Sequence, residues 1–162
     1  MKTLFTALLL LLLLPFVTRT TTAEVRVYKG TSTFTSDVVC TVRDGKVYKR
    51  TSSFTSDVIA TVRSHQIYKG TSSFRSDVLY TVRDGKVYQG TSDFQRDILF
   101  TLRDGKIYKG TSSFTSDILA TVRDGKVYEG TSSFQRDVLF TVDGYLTVEE
   151  FFAVWHAVRY VY

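Results

Sequence analysis

The chain has 162 residues, with 21 lysines and arginines against 16 aspartates and glutamates, a formal charge of +5. That excess is too mild to call for nucleic acid as a partner. One cysteine, Cys40, excludes an internal disulfide, and His65 and His156 are the only histidines, so no Cys/His metal spacing or Gly-rich phosphate loop can be assembled.

The N-terminus reads Met1-Lys2, then an apolar run from Leu4 to Val17, then small residues at Thr21 and Ala23. This order predicts a secretory signal peptide over residues 1–23, because fourteen apolar residues fall short of the roughly 20 that span a bilayer. Its removal takes away Lys2 and Arg19 and leaves a charge of +3. The expected location is therefore secreted, extracellular, periplasmic or cell-surface, with no stable membrane insertion after cleavage.

From residue 25 to 142 one twenty-residue unit repeats six times without insertion. Its Tyr falls at 28, 48, 68, 88, 108 and 128, its Phe at 34, 54, 74, 94, 114 and 134, and its Asp at 37, 57, 77, 97, 117 and 137. A fixed period implies one supersecondary element per repeat, each burying its apolar surface on its neighbours. Within the unit, Arg-Asp-Gly-Lys separates two β-rich segments at 43–46, 83–86, 103–106 and 123–126. Asp-Gly in that setting predicts a type I′ hairpin, pairing Arg43 with Lys46, Val42 with Val47 and Thr41 with Tyr48. Strict alternation then puts Val38, Cys40, Val42 and Val47 on one face.

The other connection, Gly-Thr-Ser-Ser-Phe-Thr-Ser-Asp, is polar apart from its Phe. Exposing a phenylalanine is costly, so the six are expected to fold back as anchors on the sheet edge. A row of exposed rings for a sugar or peptide is the alternative. Arg50 stands where five repeats have Gly, which suggests that positive φ is not required there. The six Asp are expected to accept hydrogen bonds from the loop amides of their own Thr-Ser segment rather than form a cation ring.

Hairpins in tandem can close into a ring or coil into a β-solenoid. Asp-Gly turns pair consecutive strands, and segments 25–30 and 138–142 are the two halves of a missing hairpin, so closure is favoured and removes the open edges. The pattern of apolar pair, Ser-rich turn, aliphatic strand and Asp-Gly resembles the bacterial β-flower proteins. That resemblance implies an all-β fold of hairpin petals around a pseudo-symmetry axis, and a secreted or surface protein without a defined ligand.

After Val142 the pattern breaks. Thr147 and Glu150 form a capping box, and Phe151, Val154, Trp155, Val158 and Tyr162 recur at helical spacing, predicting a helix over 147–162 that caps the 24–146 β-domain with one apolar face.

Two sets of residues depart from the repeat. Repeat two carries Arg50 for Gly and Ser64-His65 for Asp-Gly, a specialised or binding locus. Arg75, Arg96 and Arg136 occur in the repeats that carry Tyr80, Phe100 and Phe140 where the others have Cys40, Ala60 and Ala120, which suggests an aromatic and basic surface of stacked pairs. No catalytic residue, cofactor or metal ligand is expected. The reading is a non-enzymatic binding or structural module whose partner the sequence does not name, a glycan and a surface protein being the candidates, with a multivalent carbohydrate or polyanion binder and a small secreted hydrolase as alternatives.

Overall fold

The computed structural model describes residues 23–162; the expected signal peptide lies outside the described residues apart from Ala23. Twelve strands occur in chain order: β1 Val25–Lys29, β2 Val38–Arg43, β3 Lys46–Lys49, β4 Val58–Arg63, β5 Gln66–Lys69, β6 Val78–Arg83, β7 Lys86–Gln89, β8 Ile98–Arg103, β9 Lys106–Lys109, β10 Ile118–Arg123, β11 Lys126–Glu129 and β12 Val138–Asp143. They form one closed antiparallel barrel in which each strand pairs with its sequence neighbours and β1 pairs with β12. Val27 lies opposite Val142, so the terminal strands complete the sixth hairpin and no edge is left open.

The Asp-Gly turns set the register as the sequence predicts, with Arg43 opposite Lys46, Val42 opposite Val47 and Thr41 opposite Tyr48. The other strand junctions differ from simple alternation. Val27 pairs with Cys40 but Tyr28 pairs with Val38, a bulge at Val39 that recurs between the other petals. One extra residue reverses the facing of everything before it. Val38 and its equivalents are therefore buried on the outer side, beside the tyrosines, and not in the lumen. The residue at the bulge (Ile59, Leu79, Leu119, Leu139) packs on the inner core instead. On that outer side Arg43, Arg63, Arg83, Arg103 and Arg123 each lie over the tyrosine that follows their turn, at 4.6 to 5.6 Å from the ring centroid.

Twelve strands enclose a lumen too wide for their own side chains to fill. The C-terminal segment fills it. Helix α1, Val148–His156, begins at Thr147, whose hydroxyl accepts from the Glu150 amide while the Glu150 carboxylate accepts from the Thr147 amide. It continues as a π-helical turn over Ala157–Val161. Phe152, Ala153, Val154, Trp155 and Ala157 are all buried, so no face of the helix is left for solvent along this stretch. The sequence expectation of a cap docked by one face is thus corrected: the helix is the barrel's core.

Its position explains the varying residue of the petals. Phe151 meets Phe140 on β12, Phe152 stacks on Phe100 on β8, Trp155 touches both rings, and His156 meets Tyr80 on β6. At about 100° per residue these side chains sweep one side of the helix. Ala153 and Ala157 occupy the other, towards β2–β5, where Cys40 and Ala60 are fully buried. Large residues fill the wide gap and small ones line the narrow one. Ala120, on β10 between β8 and β12, leaves room for the indole.

Candidate functional site: the loop end of the barrel

The barrel has two unlike ends. The five hairpin turns and the start of α1 lie at one, the six Ser-rich loops and the C-terminus at the other.

Each loop folds in the same way. Ser32 donates its hydroxyl to Asp37 Oδ2 at 2.6 Å and accepts from the Phe34 amide, while the Asp37 amide bonds the Phe34 carbonyl; the Ser-to-Asp bond recurs in all six loops. The repeated Asp is therefore a loop-closing group, as its position before a strand predicts, but its donor is the serine hydroxyl and not the expected loop amides. Among the described residues no cluster of three or more His, Cys, Asp or Glu is placed to hold a metal.

Closing the loop this way projects its phenylalanine outwards. Phe34, Phe54, Phe74, Phe94, Phe114 and Phe134 are between 59% and 73% exposed. The expectation that they anchor the loops is overturned: Ser and Asp hold the loop by hydrogen bonds, leaving the ring without a packing role. Tyr160, Val161 and Tyr162 emerge from the lumen at the same end and are exposed as well. Nine of the eleven large exposed hydrophobic side chains among the described residues thus lie at one end of the barrel, Tyr145 and Val148 being the others. Surfaces of this kind mark interaction sites.

Two clefts open at this mouth beside the emerging helix. One, of about 460 Å³, has Val38, Val39, Leu139 and Val158 in its apolar lining and Lys29, Arg50 and Asp37 among its polar groups. The other, of about 380 Å³, is lined by Leu99, Leu119, Phe100 and Trp155 with Lys109 and Arg159, and no carboxylate. The Arg159 guanidinium lies 5.1 Å from the Trp155 ring.

The chain matches the family described as 6-fold beta flower proteins over residues 27–155. It belongs to that family. The match runs through every petal of this β-flower and into the central helix as far as Trp155. No curated protein matches the sequence. Among solved structures, a protein from Arabidopsis thaliana is similar at 18% identity, covering 83% of this chain and 88% of its own, with a TM-score of 0.46.

The two suspected loci of the β-flower are rearranged by the fold. Arg50 lies at the loop end and adopts φ +46°, the same left-handed conformation as Gly30 and its equivalents, so positive φ is required there after all. Ser64 and His65 lie at the opposite end, and the three residues do not form one locus. The Ser64-His65 turn keeps the register of its siblings, with Ser64 at φ +53° and the His65 carbonyl accepting from Val82 as that of Gly45 accepts from Val62. His65 Nδ1 lies 2.9 Å from Glu149 Oε1 on the first turn of α1. Partial burial of Glu149 would raise its carboxyl pKa, but the His65 hydrogen bond and the local amide bond outweigh this and hold it below the usual value.

The proposed basic and aromatic surface likewise separates. Tyr80, Phe100 and Phe140 point into the lumen against α1, whereas Arg96 and Arg136 lie over the exposed Phe94 and Phe134 at 5.0 and 5.2 Å. Arg75 opens the 3-10 turn of its loop. Burial pushes the Tyr80 hydroxyl up to about 12, with Tyr160 adding to the shift, and lowers His156; the Tyr80 hydroxyl and His156 Nδ1 share a hydrogen bond of 2.8 Å. Cys40 is fully buried, and desolvation raises its thiol to about 12, a packing residue with no thiolate for chemistry.

Proposed function

We propose that this β-flower is a secreted or cell-surface binding module, non-enzymatic, that engages its partner through the loop end. The observation that supports this is the crown of six exposed phenylalanines, one in each of six identically closed loops around a single mouth. A repeat with no packing use for its Phe nevertheless carries it six times. Equivalent weak contacts on one rigid ring suit a partner that offers many copies of the same group, because linked contacts gain through effective concentration. The barrel and its central helix act as scaffold, and the loops as contact surface.

The test uses the purified protein and a Phe34→Ser, Phe74→Ser, Phe114→Ser variant on a glycan array and on lipid vesicles. The wild type is expected to be retained on one of these surfaces and the variant to be lost from it at unchanged thermal midpoint. Equal behaviour of the two proteins on every surface would overturn the loop-end reading.

A further inference from the structure

The character of the mouth narrows the partner class. Phenylalanine offers no hydroxyl or ring N–H, so the crown presents six apolar tips without directional hydrogen bonding of their own. Pseudo-sixfold repetition sets these tips at equal height around the barrel axis, which matches a flat surface better than a single extended chain. Inside the crown, both clefts combine an apolar lining with cations at the rim: Lys29 and Arg50 in one, Lys109 and Arg159 in the other. Asp37 is the one carboxylate lining either cleft, and its Oδ2 is taken by Ser32, as those of the other five loop aspartates are by their serines; the loops also carry Asp93 and Glu129, so the excess of cations lies at the clefts and not over the whole loop end.

Arg50 adds an independent observation. Five petals place Gly at this position, and a side chain there is strained because its φ is +46°. The substitution coincides with the loss of a second bond. Thr61, Thr81, Thr101, Thr121 and Thr141 each donate to the carbonyl of the Gly that starts the neighbouring loop, but the hydroxyl of Thr41, which would serve Arg50, is buried without a partner. Strain retained at a ligand-facing position is a mark of function. Here it delivers a guanidinium to the mouth.

Resting on the loop-end reading above, we infer that the loop end docks on an anionic phospholipid surface. The six phenylalanines enter the apolar side of the headgroup boundary, and Lys29, Arg50, Lys109 and Arg159 receive headgroup phosphates at the two clefts. Apolar burial combined with cation attraction is the combination that holds proteins on such an interface without crossing it.

The experiment is co-sedimentation of the purified protein with phosphatidylcholine vesicles and with vesicles of equal parts phosphatidylcholine and phosphatidylserine, alongside a glycan array and sedimentation velocity. Preferential binding to the anionic vesicles is expected, falling as salt rises. Each of Arg50→Gly and Lys109→Gln is expected to weaken it about fivefold, and the Phe34, Phe74, Phe114 to Ser variant by about tenfold or more. The Phe and Lys109 side chains are exposed and Arg50→Gly relieves a strained backbone, so a thermal midpoint that does not fall separates lost binding from lost folding. Phe-dependent binding to a glycan without vesicle binding would overturn the lipid inference and leave the loop-end reading intact. Phe-dependent self-association without vesicle binding would overturn it too, in favour of a second copy. Wild type and Phe variant behaving alike in all three assays would overturn both readings.

Discussion

His65 Nδ1 lies 2.9 Å from Glu149 Oε1, tying the tip of the second hairpin to the first turn of the central helix. In the sibling turns a Cβ at the corresponding position would come as close as 2.7 Å to a carbonyl of the next strand, as at Gly85 beside Leu102. Gly85 holds that position at φ +71°, whereas His65 is not among the positive-φ residues, so repeat two turns differently at its second residue and the side chain reaches the helix. His65→Gly is expected to lower stability by up to about 1 kcal/mol when Glu149 is already Gln, through the backbone freedom that glycine gains, and by more in the wild type, where an exposed contact worth at most about 1 kcal/mol is lost at the same time. Urea unfolding of the four proteins of this double-mutant cycle measures the difference. A change of the same size in both backgrounds would show the pair to be energetically silent.

The same carboxylate sets a pH dependence. Its folded pKa is lowered from the ordinary 4.5, so its contribution is present above about that pH and is lost as pH falls through the folded value. Glu149→Gln should flatten the stability profile in that acidic window and leave the profile near neutrality unchanged. Parallel wild-type and mutant curves below pH 5, the upper part of the carboxylate range, would contradict this.

His156 acts in a different window. Burial lowers its pKa below 6.5, so the unfolded chain binds a proton first as pH falls, and stability declines from about 6.5 downwards until the folded value is reached. Tyr80→Phe removes the hydroxyl that shares a hydrogen bond with Nδ1 and should cost on the order of 1 kcal/mol at pH 7. His156→Phe should abolish the decline that begins near 6.5. Persistence of that slope would assign it to another group.

Because α1 fills the lumen, deletion of residues 147–162 removes the core and not merely a cover. The truncated chain is expected to lose cooperative unfolding, and Trp155→Ala in the intact chain to cost about 3–5 kcal/mol. Calorimetry on both proteins decides. A cooperative, near-native transition in the truncated barrel would show that the strands close without the helix.

The small residues beside the helix are the sharpest test of its off-centre position. Ala60→Phe copies the residue of the sixth petal into the second and should cost about 1–3 kcal/mol through overpacking against α1. Phe140→Ala makes the reverse change and should cost about 3–5 kcal/mol by opening a cavity against Phe151 and Trp155. A tolerated Ala60→Phe would mean that the helix can shift across the lumen.

The sequence by itself determined the local structure of this protein. Asp-Gly at a fixed period set the hairpin register, and complementary terminal strands required closure, because turn geometry and strand pairing are short-range and identical in every repeat. The closing role of Asp37 and its equivalents was legible for the same reason. Tertiary structure decided what lies inside and outside. A single bulge residue such as Val39 reversed the facing of Val38, which no alternation of hydrophobicity reveals. The phenylalanines look like anchors as long as burial is judged by residue type, and only the Ser-to-Asp bond shows that the loop closes without them. Cys40, Ala60 and Ala120 against Tyr80, Phe100 and Phe140 carried the imprint of the helix in the sequence all along. It could be read only once the barrel supplied a lumen, because the complement of each petal lies far along the chain, 76 residues from Tyr80 to His156, and packing, unlike turn chemistry, is fixed by what the whole fold brings together.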